Sequence, residues 1–229
     1  MFLAGCTSSE IVTESPSTPD PEQAAAVEHD EIAALLDVYR DRYKETMGVE
    51  IARVTESLRF DQPGNPLGNL AADAIRFRAA REARSLVHLA FIGQDSFRLT
   101  FDEGPLTLGE VYEFMPYENH LVVLTVTGHD VKTLASHIAQ NGGAPFSGMR
   151  FRNQNGEPAG ILVQSEPLQA ERSYRLATTS YYANGGGGYL SSFSPVDRQD
   201  FFDVSIRELY VEFFRLRRTI EPVLDGRMQ

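Results

Sequence analysis

One cysteine, Cys6, stands in 229 residues, so no internal disulfide is possible. Basic residues are in deficit. Lys plus Arg number 21 against 32 Asp plus Glu, a net charge of −11. Affinity for nucleic acid rests mostly on neutralising phosphates, so this balance argues against a nucleic-acid polymer as partner. It leaves room for one small anion held by a few local arginines. No apolar run approaches the roughly 18 residues that a membrane-spanning helix needs. The five histidines (His29, His88, His120, His129 and His137) form no His-x-x-x-His pair and have no cysteine partner. Asp-x-His, Gly-Asn-His-Glu and Gly-His-x-His are all missing, so no metal-binding signature appears. Neither a Gly-x-Ser-x-Gly elbow nor a phosphate-binding Walker loop is found. The residues build no self-sufficient hydrolytic site, and no catalytic residue and no metal ligand is assigned.

What is present begins at the cysteine. Leu3-Ala4-Gly5-Cys6 resembles a bacterial lipobox, in which a signal peptidase cuts before the cysteine and the cysteine is lipid-modified. Only Met1 and Phe2 precede it, without the basic and apolar regions of a signal peptide. The expectation is a true start upstream; a chance match is the alternative. Residues 7 to 20 are rich in Ser, Thr, Pro and Glu and read as a solvated tether. The expected organisation is a lipobox and disordered tether over residues 1–20 and a folded domain over residues 21–229. Each buried CH₂ of an acyl chain contributes about 0.8 kcal/mol. Lipidation at Cys6 would therefore hold the domain on a membrane of the bacterial cell envelope, periplasmic or at the outer surface.

Periodicity predicts a helix from Pro21 to about Met47, a strand or irregular segment over Glu50–Phe60 and a turn over Asp61–Pro66. A second helix follows to about Arg84. Strands are expected over Ser85–Ile92, Leu121–Thr127, Met149–Arg152, Gly160–Gln164 and Tyr174–Thr179. Between them come a short helix over Leu106–Tyr112, with a Thr107/Glu110 capping box, and a helix over His129–Asn141 ended by Gly142 and Gly143. Ile206, Leu209, Tyr210, Phe213 and Ile220 mark an amphipathic C-terminal helix. Strands and helices in this irregular order predict an α+β fold, mixed sheets packed with helices, rather than a doubly wound sheet.

The organising stretch runs from Tyr174 to Phe193. A strand leads to Tyr181 and Tyr182, then to four consecutive glycines, Gly185 to Gly188. Glycines there allow unusual backbone angles and a close approach to the main chain. A planar ligand could lie against one of the two tyrosines; a flexible hairpin tip flanked by core aromatics is the plainer alternative.

Several segments together resemble the C-terminal, substrate-recognition domain of the 5′-nucleotidases. Leu67-Gly68-Asn69-Leu70-Ala71-Ala72-Asp73-Ala74-Ile75 is similar to the family's Gly-Asn-Leu-x-x-Asp-Ala helix start. Gly109 to Asn119 resembles its Asp-Val-x-x-x-x-Pro-Phe-x-Asn segment. Leu124 to Gly128, Ser147 to Arg150, Tyr174 to Tyr189 and Ile220 to Met228 match further steps in order. The resemblance covers residues from about 21 to the end. It implies two aromatics that sandwich a nucleobase, Tyr117 and Tyr181, a stack worth about 1–3 kcal/mol per base. It also implies Asn119 beside the first aromatic, and arginines at Arg81 (or Arg78, one turn earlier) and at Arg98 for phosphate or carboxylate oxygens. Two departures are plain. The loop before Arg98 reads Gly93-Gln94-Asp95-Ser96-Phe97, without the family's Asn and paired glycines. Gly187 stands where the family keeps an Asp that holds the ribose hydroxyls.

In that family a separate metallophosphatase domain carries two metals and the hydrolysis. The resemblance therefore implies a split 5′-nucleotidase: this chain recognises a nucleotide or nucleoside, and a separate metallophosphatase-domain protein is its partner. Divalent metals are expected only in that partner, with no cofactor here and hydrolase activity only in the complex. Two other readings stay open: a surface lipoprotein that binds a nucleoside-like aromatic ligand without catalysis, and a structural domain whose site has decayed.

Overall fold

A computed structural model describes residues 21–61, 65–222 and 224–229. Cys6, the tether and part of the Asp61–Pro66 turn lie outside the described residues. The chain divides into two contact units, residues 1–44 and 45–229. Helix α1 runs Pro21–Met47, the bounds its periodicity predicts.

The second unit is built on a five-stranded mixed sheet. Its strands are β2 (Leu89–Phe91), β4 (His120–Thr127), β5 (Phe146–Ser147), β9 (Ser173–Thr179) and β10 (Asp197–Ser205), in the order β10-β4-β9-β2-β5. Only β2 and β9 run parallel; the other pairs are antiparallel. Residues Leu121 to Leu124 of β4 are all buried, as a strand covered on both faces must be. Two three-stranded sheets flank it. One joins β1 (Glu50–Val54), β3 (Gly104–Thr107) and β11 (Thr219–Ile220). The other joins β6 (Met149–Gln154), β7 (Glu157–Val163) and β8 (Glu166–Pro167).

Helix α2 (Pro66–Glu82) lies against β2, β4, β5 and β9. Its start explains the Gly-Asn-Leu motif. The Asn65 side chain accepts from the Gly68 N–H at 2.9 Å, and a Cβ on Gly68 would sit 2.5 Å from that same oxygen. Helix α3 (Leu108–Phe114) carries the expected capping box, with Thr107 and Glu110 satisfying each other's backbone N–H. Helix α4 (Gly128–Gln140) packs on β4 and β9 and on the β6–β7 hairpin. A second capping box, Thr127 with Asp130, starts it, so Gly128 opens the helix one residue before the expected His129. After the short helix α5 (Ser180–Ala183) and β10 comes α6 (Ile206–Arg217), packed on α2 and β1. The architecture is α+β, mixed sheets packed with helices.

Several details differ from expectation; the strand expected over Ser85–Ile92, for one, narrows to Leu89–Phe91. Leu106 belongs to β3 rather than to α3, because β3 pairs with β1 and the cap falls one residue later. Ile220 belongs to β11, because Arg218 ends α6 with φ 61°. Strand β10 went unforeseen: Arg198, Asp200 and Asp203 mask it, since most of its side chains face solvent.

Candidate functional site

Three loops meet at one edge of the central sheet. Strands β2 and β9 run parallel, so their C-terminal ends share that edge. Strand β4 is antiparallel to β9, with Leu121 opposite Thr179, so its beginning lies there too. The loop after β2 carries Arg98, the segment before β4 carries Tyr117 and Asn119, and the turn after β9 carries Tyr181.

Each loop is held from below. Phe97, next to Arg98, stacks on Phe114 of α3 at 4.5 Å, and Phe101 and Tyr210 close on the same ring. The Arg98 N–H donates to the Phe114 carbonyl at 3.2 Å. Arg207, in the first turn of α6, donates to the carbonyls of Met115 (2.9 Å) and Pro116 (2.6 Å). The Ile206 N–H donates to the Asn119 carbonyl at 2.9 Å. The backbone leading to Tyr117 is therefore tied at both ends to α6.

The two adjacent tyrosines have opposite fates. Tyr182 is fully buried; its hydroxyl donates to Asp95 and meets Ser96 Oγ at 3.0 Å. Burial first, then the Asp95 hydrogen bond, raises its pKa far above the ordinary phenol value, so it stays neutral. Tyr181 is 47 % exposed. Its ring lies on the glycine run: a Cβ on Gly186 would stand 2.5–2.6 Å from three of its ring carbons. Gly185, Gly187 and Gly188 all take positive φ, 89°, 64° and 76°. What approaches the glycine backbone so closely is the chain's own tyrosine. The run is not a hairpin tip either, since the strand beyond it, β10, pairs with β4 and not with β9.

Tyr117, Tyr181, Arg98 and Asn119 line one cavity of about 360 Å³, together with Asp95, Ser96 and Glu118. Tyr117 is 39 % exposed. The Arg98 guanidinium lies 5.1 Å from the Tyr117 ring centroid, donates to its hydroxyl, and donates to the carbonyls of Asp95 (2.6 Å) and Phe97 (3.0 Å). Among the described residues it forms no ion pair, so its charge is oriented but not neutralised. The Asn119 side-chain oxygen accepts from Ser180 Oγ at 3.1 Å, which leaves the amide NH₂ as the group available for donation. The arrangement can offer aromatic faces, a fixed cation and an amide donor.

Arg81 is not part of this cavity. It stands near the end of α2 over the Phe77 ring, 5.7 Å from its centroid, on the side packed by α6. Arg78 is committed to Glu82 (2.6 Å) and Glu212. Gly187 does not line the cavity either. An Asp there would need a left-handed backbone, and its Cβ would meet the Tyr182 ring at 2.8 Å. Asp95, Ser96 and Glu118 are the lining residues that sequence reasoning passed over. Asp95 and Ser96 sit where the family's loop is glycine-rich, and only the fold reveals that they serve the buried Tyr182 hydroxyl. Among the described residues, no group of three or more His, Cys, Asp or Glu side chains could hold a metal ion. No described helix is long and apolar enough to cross a membrane.

Residues 30–194 match the family described as "5'-nucleotidase, C-terminal domain". The trifunctional nucleotide phosphoesterase protein YfkN of Bacillus subtilis is 26% identical over 180 residues, covering 71% of this chain and 12% of that protein. Protein UshA of Escherichia coli is 23% identical over 201 residues, 81% of this chain and 35% of its own length. Among solved structures, the 5'-nucleotidase precursor of Thermus thermophilus superposes with a TM-score of 0.72 at 26% identity, over 85% of this chain and 42% of that one. The chain spans about a third or less of these two curated relatives.

Proposed function

The chain belongs to the 5'-nucleotidase C-terminal domain family, and we propose that it recognises the base and phosphate of a nucleotide for hydrolysis by a separate metallophosphatase chain. One observation carries this reading: two exposed tyrosines from different loops, Tyr117 and Tyr181, share a cavity with an un-ion-paired arginine and an amide donor. Base-on-ring stacking supplies affinity without demanding one base, because every base has a π-face. Arg98 meets phosphate oxygens, and the Asn119 amide donates to a base or sugar oxygen. The family's ribose acid is absent at Gly187; of the two carboxylates lining the cavity, Asp95 already accepts from the Tyr182 hydroxyl, which leaves Glu118 to accept from a sugar hydroxyl.

The chemistry itself falls to the partner chain, which would hold the divalent metals. This chain has no assigned catalytic residue and needs no cofactor of its own in that scheme. Lipidation at Cys6, with residues 7–20 as tether, would place the complex at the cell envelope. An open cavity lined by both tyrosines speaks against a decayed site, which would be filled by side chains. The same cavity also suits a lipoprotein that captures nucleosides without chemistry.

Calorimetry with a nucleotide and nucleoside panel tests the clamp. Binding is expected, and Tyr117→Ala or Tyr181→Ala should each weaken it by about 5- to 150-fold. Binding indifferent to both substitutions overturns the clamp. Adding the chain to a candidate metallophosphatase subunit separates the two functional readings. A change in rate or substrate preference supports the split enzyme, and no complex with no change in rate refutes it.

A further inference from the structure

A second cavity, of about 420 Å³, opens between α2, the Ser147–Arg150 bend, the end of β7 and the end of α6. It shares no lining residue with the tyrosine cavity. Its size falls within the range of small-molecule sites. Four arginines and two aspartates line it, so it carries an excess of two positive charges in a chain of net charge −11.

The four arginines are not equivalent. Arg227 is 7% exposed; it pairs with Asp73 at 3.0 Å and Asp225 at 2.7 Å and donates to the Phe146 carbonyl at 2.6 Å. Its charge is spent on the wall of the cavity. Arg76 donates through Nε to the buried Ser147 hydroxyl at 2.8 Å, and that hydroxyl donates in turn to Asp73. This chain fixes the plane of the Arg76 guanidinium while using a single one of its five N–H groups. Arg150 donates to a neutral partner, the Asp225 carbonyl, at 3.1 Å. Arg217 lies over the Phe213 ring at 4.9 Å. Among the described residues, Arg76, Arg150 and Arg217 form no ion pair, although acidic side chains outnumber basic ones along the chain.

Three guanidinium groups without an ion pair line a cavity whose net excess is two positive charges, and an anion carrying two negative charges would balance that excess. Guanidinium forks match the paired oxygens of phosphate. We propose that this cleft binds a small phosphorylated dianion, held by Arg76, Arg150 and Arg217, with Arg227 and its two aspartates keeping the wall in shape. The site is independent of nucleotide recognition at Tyr117 and Tyr181.

The test is calorimetry of the full chain with inorganic phosphate and pyrophosphate at constant ionic strength, with succinate as a carboxylate of similar charge. A saturable site that depends on the arginines of this cleft is expected. Arg150→Gln and Arg217→Gln, both at exposed positions, should each weaken it roughly tenfold, as should Arg76→Gln. Tyr117→Ala and Tyr181→Ala should leave it unchanged. The proposal is overturned by the absence of saturable binding up to about 10 mM, a dissociation constant near the weakest worth assigning. Binding unaffected by all three arginine substitutions also overturns it. So does succinate binding as tightly as phosphate, and so does loss of phosphate binding in the tyrosine variants, which would move the anion to the first cavity.

Discussion

Gly186→Ala is the sharpest single perturbation of the clamp. The added methyl would lie 2.5–2.6 Å from three carbons of the Tyr181 ring. Carbon atoms in contact prefer roughly 3.5–4.0 Å, so ring or loop must give by about 1 Å. The ring should move, because Tyr181 is 47 % exposed whereas the turn is closed by backbone bonds from Gly185 to Tyr182 and from Gly186 to Tyr181, both 2.9 Å. Gly186 is the one glycine of the four without a positive φ, so alanine meets no backbone strain there. Gly186 is half-buried but the ring that must yield is exposed, so stability should change by about 1 kcal/mol or less. Nucleotide affinity should fall by most of one stacking interaction, about 1–3 kcal/mol, or about 5- to 150-fold in Kd. The assay is calorimetric titration of wild type, Gly186→Ala, Tyr181→Ala and the double variant, with a thermal melt of each. The double variant should bind no more weakly than Tyr181→Ala alone, since both changes remove the same contact. A Gly186→Ala chain that binds nucleotide as tightly as wild type would refute the idea that the loop backbone seats this ring, and full additivity would refute the shared mechanism.

Two further outcomes follow from the polar groups around the site. Arg198 binds Asp200 through two nitrogens, at 2.8 and 2.9 Å, and His120 approaches the same carboxylate at 2.8 Å. Arg198 first, and then His120, hold the Asp200 carboxyl at about 2 against its ordinary 3.8, outweighing partial burial. A depressed folded-state pKa gives stability that is present above the unfolded value and lost as pH falls through the folded one. The thermal midpoint should thus drop between pH 3.8 and about 2, and Asp200→Asn should flatten that part of the profile. Tyr182→Phe should cost about 1–3 kcal/mol in urea unfolding, because it strips two hydrogen bonds from a buried cluster and leaves Ser96 short of a partner. It should also weaken nucleotide binding, since Asp95 and Ser96 belong to the turn that leads to Arg98.

Much of this chain was legible before folding. Alternation and helical spacing reveal β4, β9, α2 and α6 because their apolar faces must be buried somewhere. The Thr107/Glu110 box reveals where α3 starts because capping is a local exchange of hydrogen bonds. Ordered segments such as Leu67–Ile75 and Pro116–Asn119 suffice to identify the family, and they name Tyr117, Tyr181, Arg98 and Asn119 by position. Weakly patterned elements stay hidden. Strand β10 exposes most of its side chains, and β3, β8 and β11 are too short to show a period.

The glycine run divides most clearly between the two levels. Four glycines in sequence announce that something comes close to the backbone, but they do not say what. Tertiary packing decides it: Tyr182 turns into the core to meet Asp95 and Ser96, and Tyr181 turns outward and lies on Gly186. Packing likewise sends Arg81 to the far end of α2 and keeps Arg98 over Tyr117, a separation that linear spacing cannot register. The arginine cleft is wholly a product of the fold, since Arg76, Arg150 and Arg217 come from three distant segments with no shared motif. Local chemistry determined the elements and the family; which side chains share a cavity depended on how parallel β2 and β9 and antiparallel β4 bring three loops to one edge.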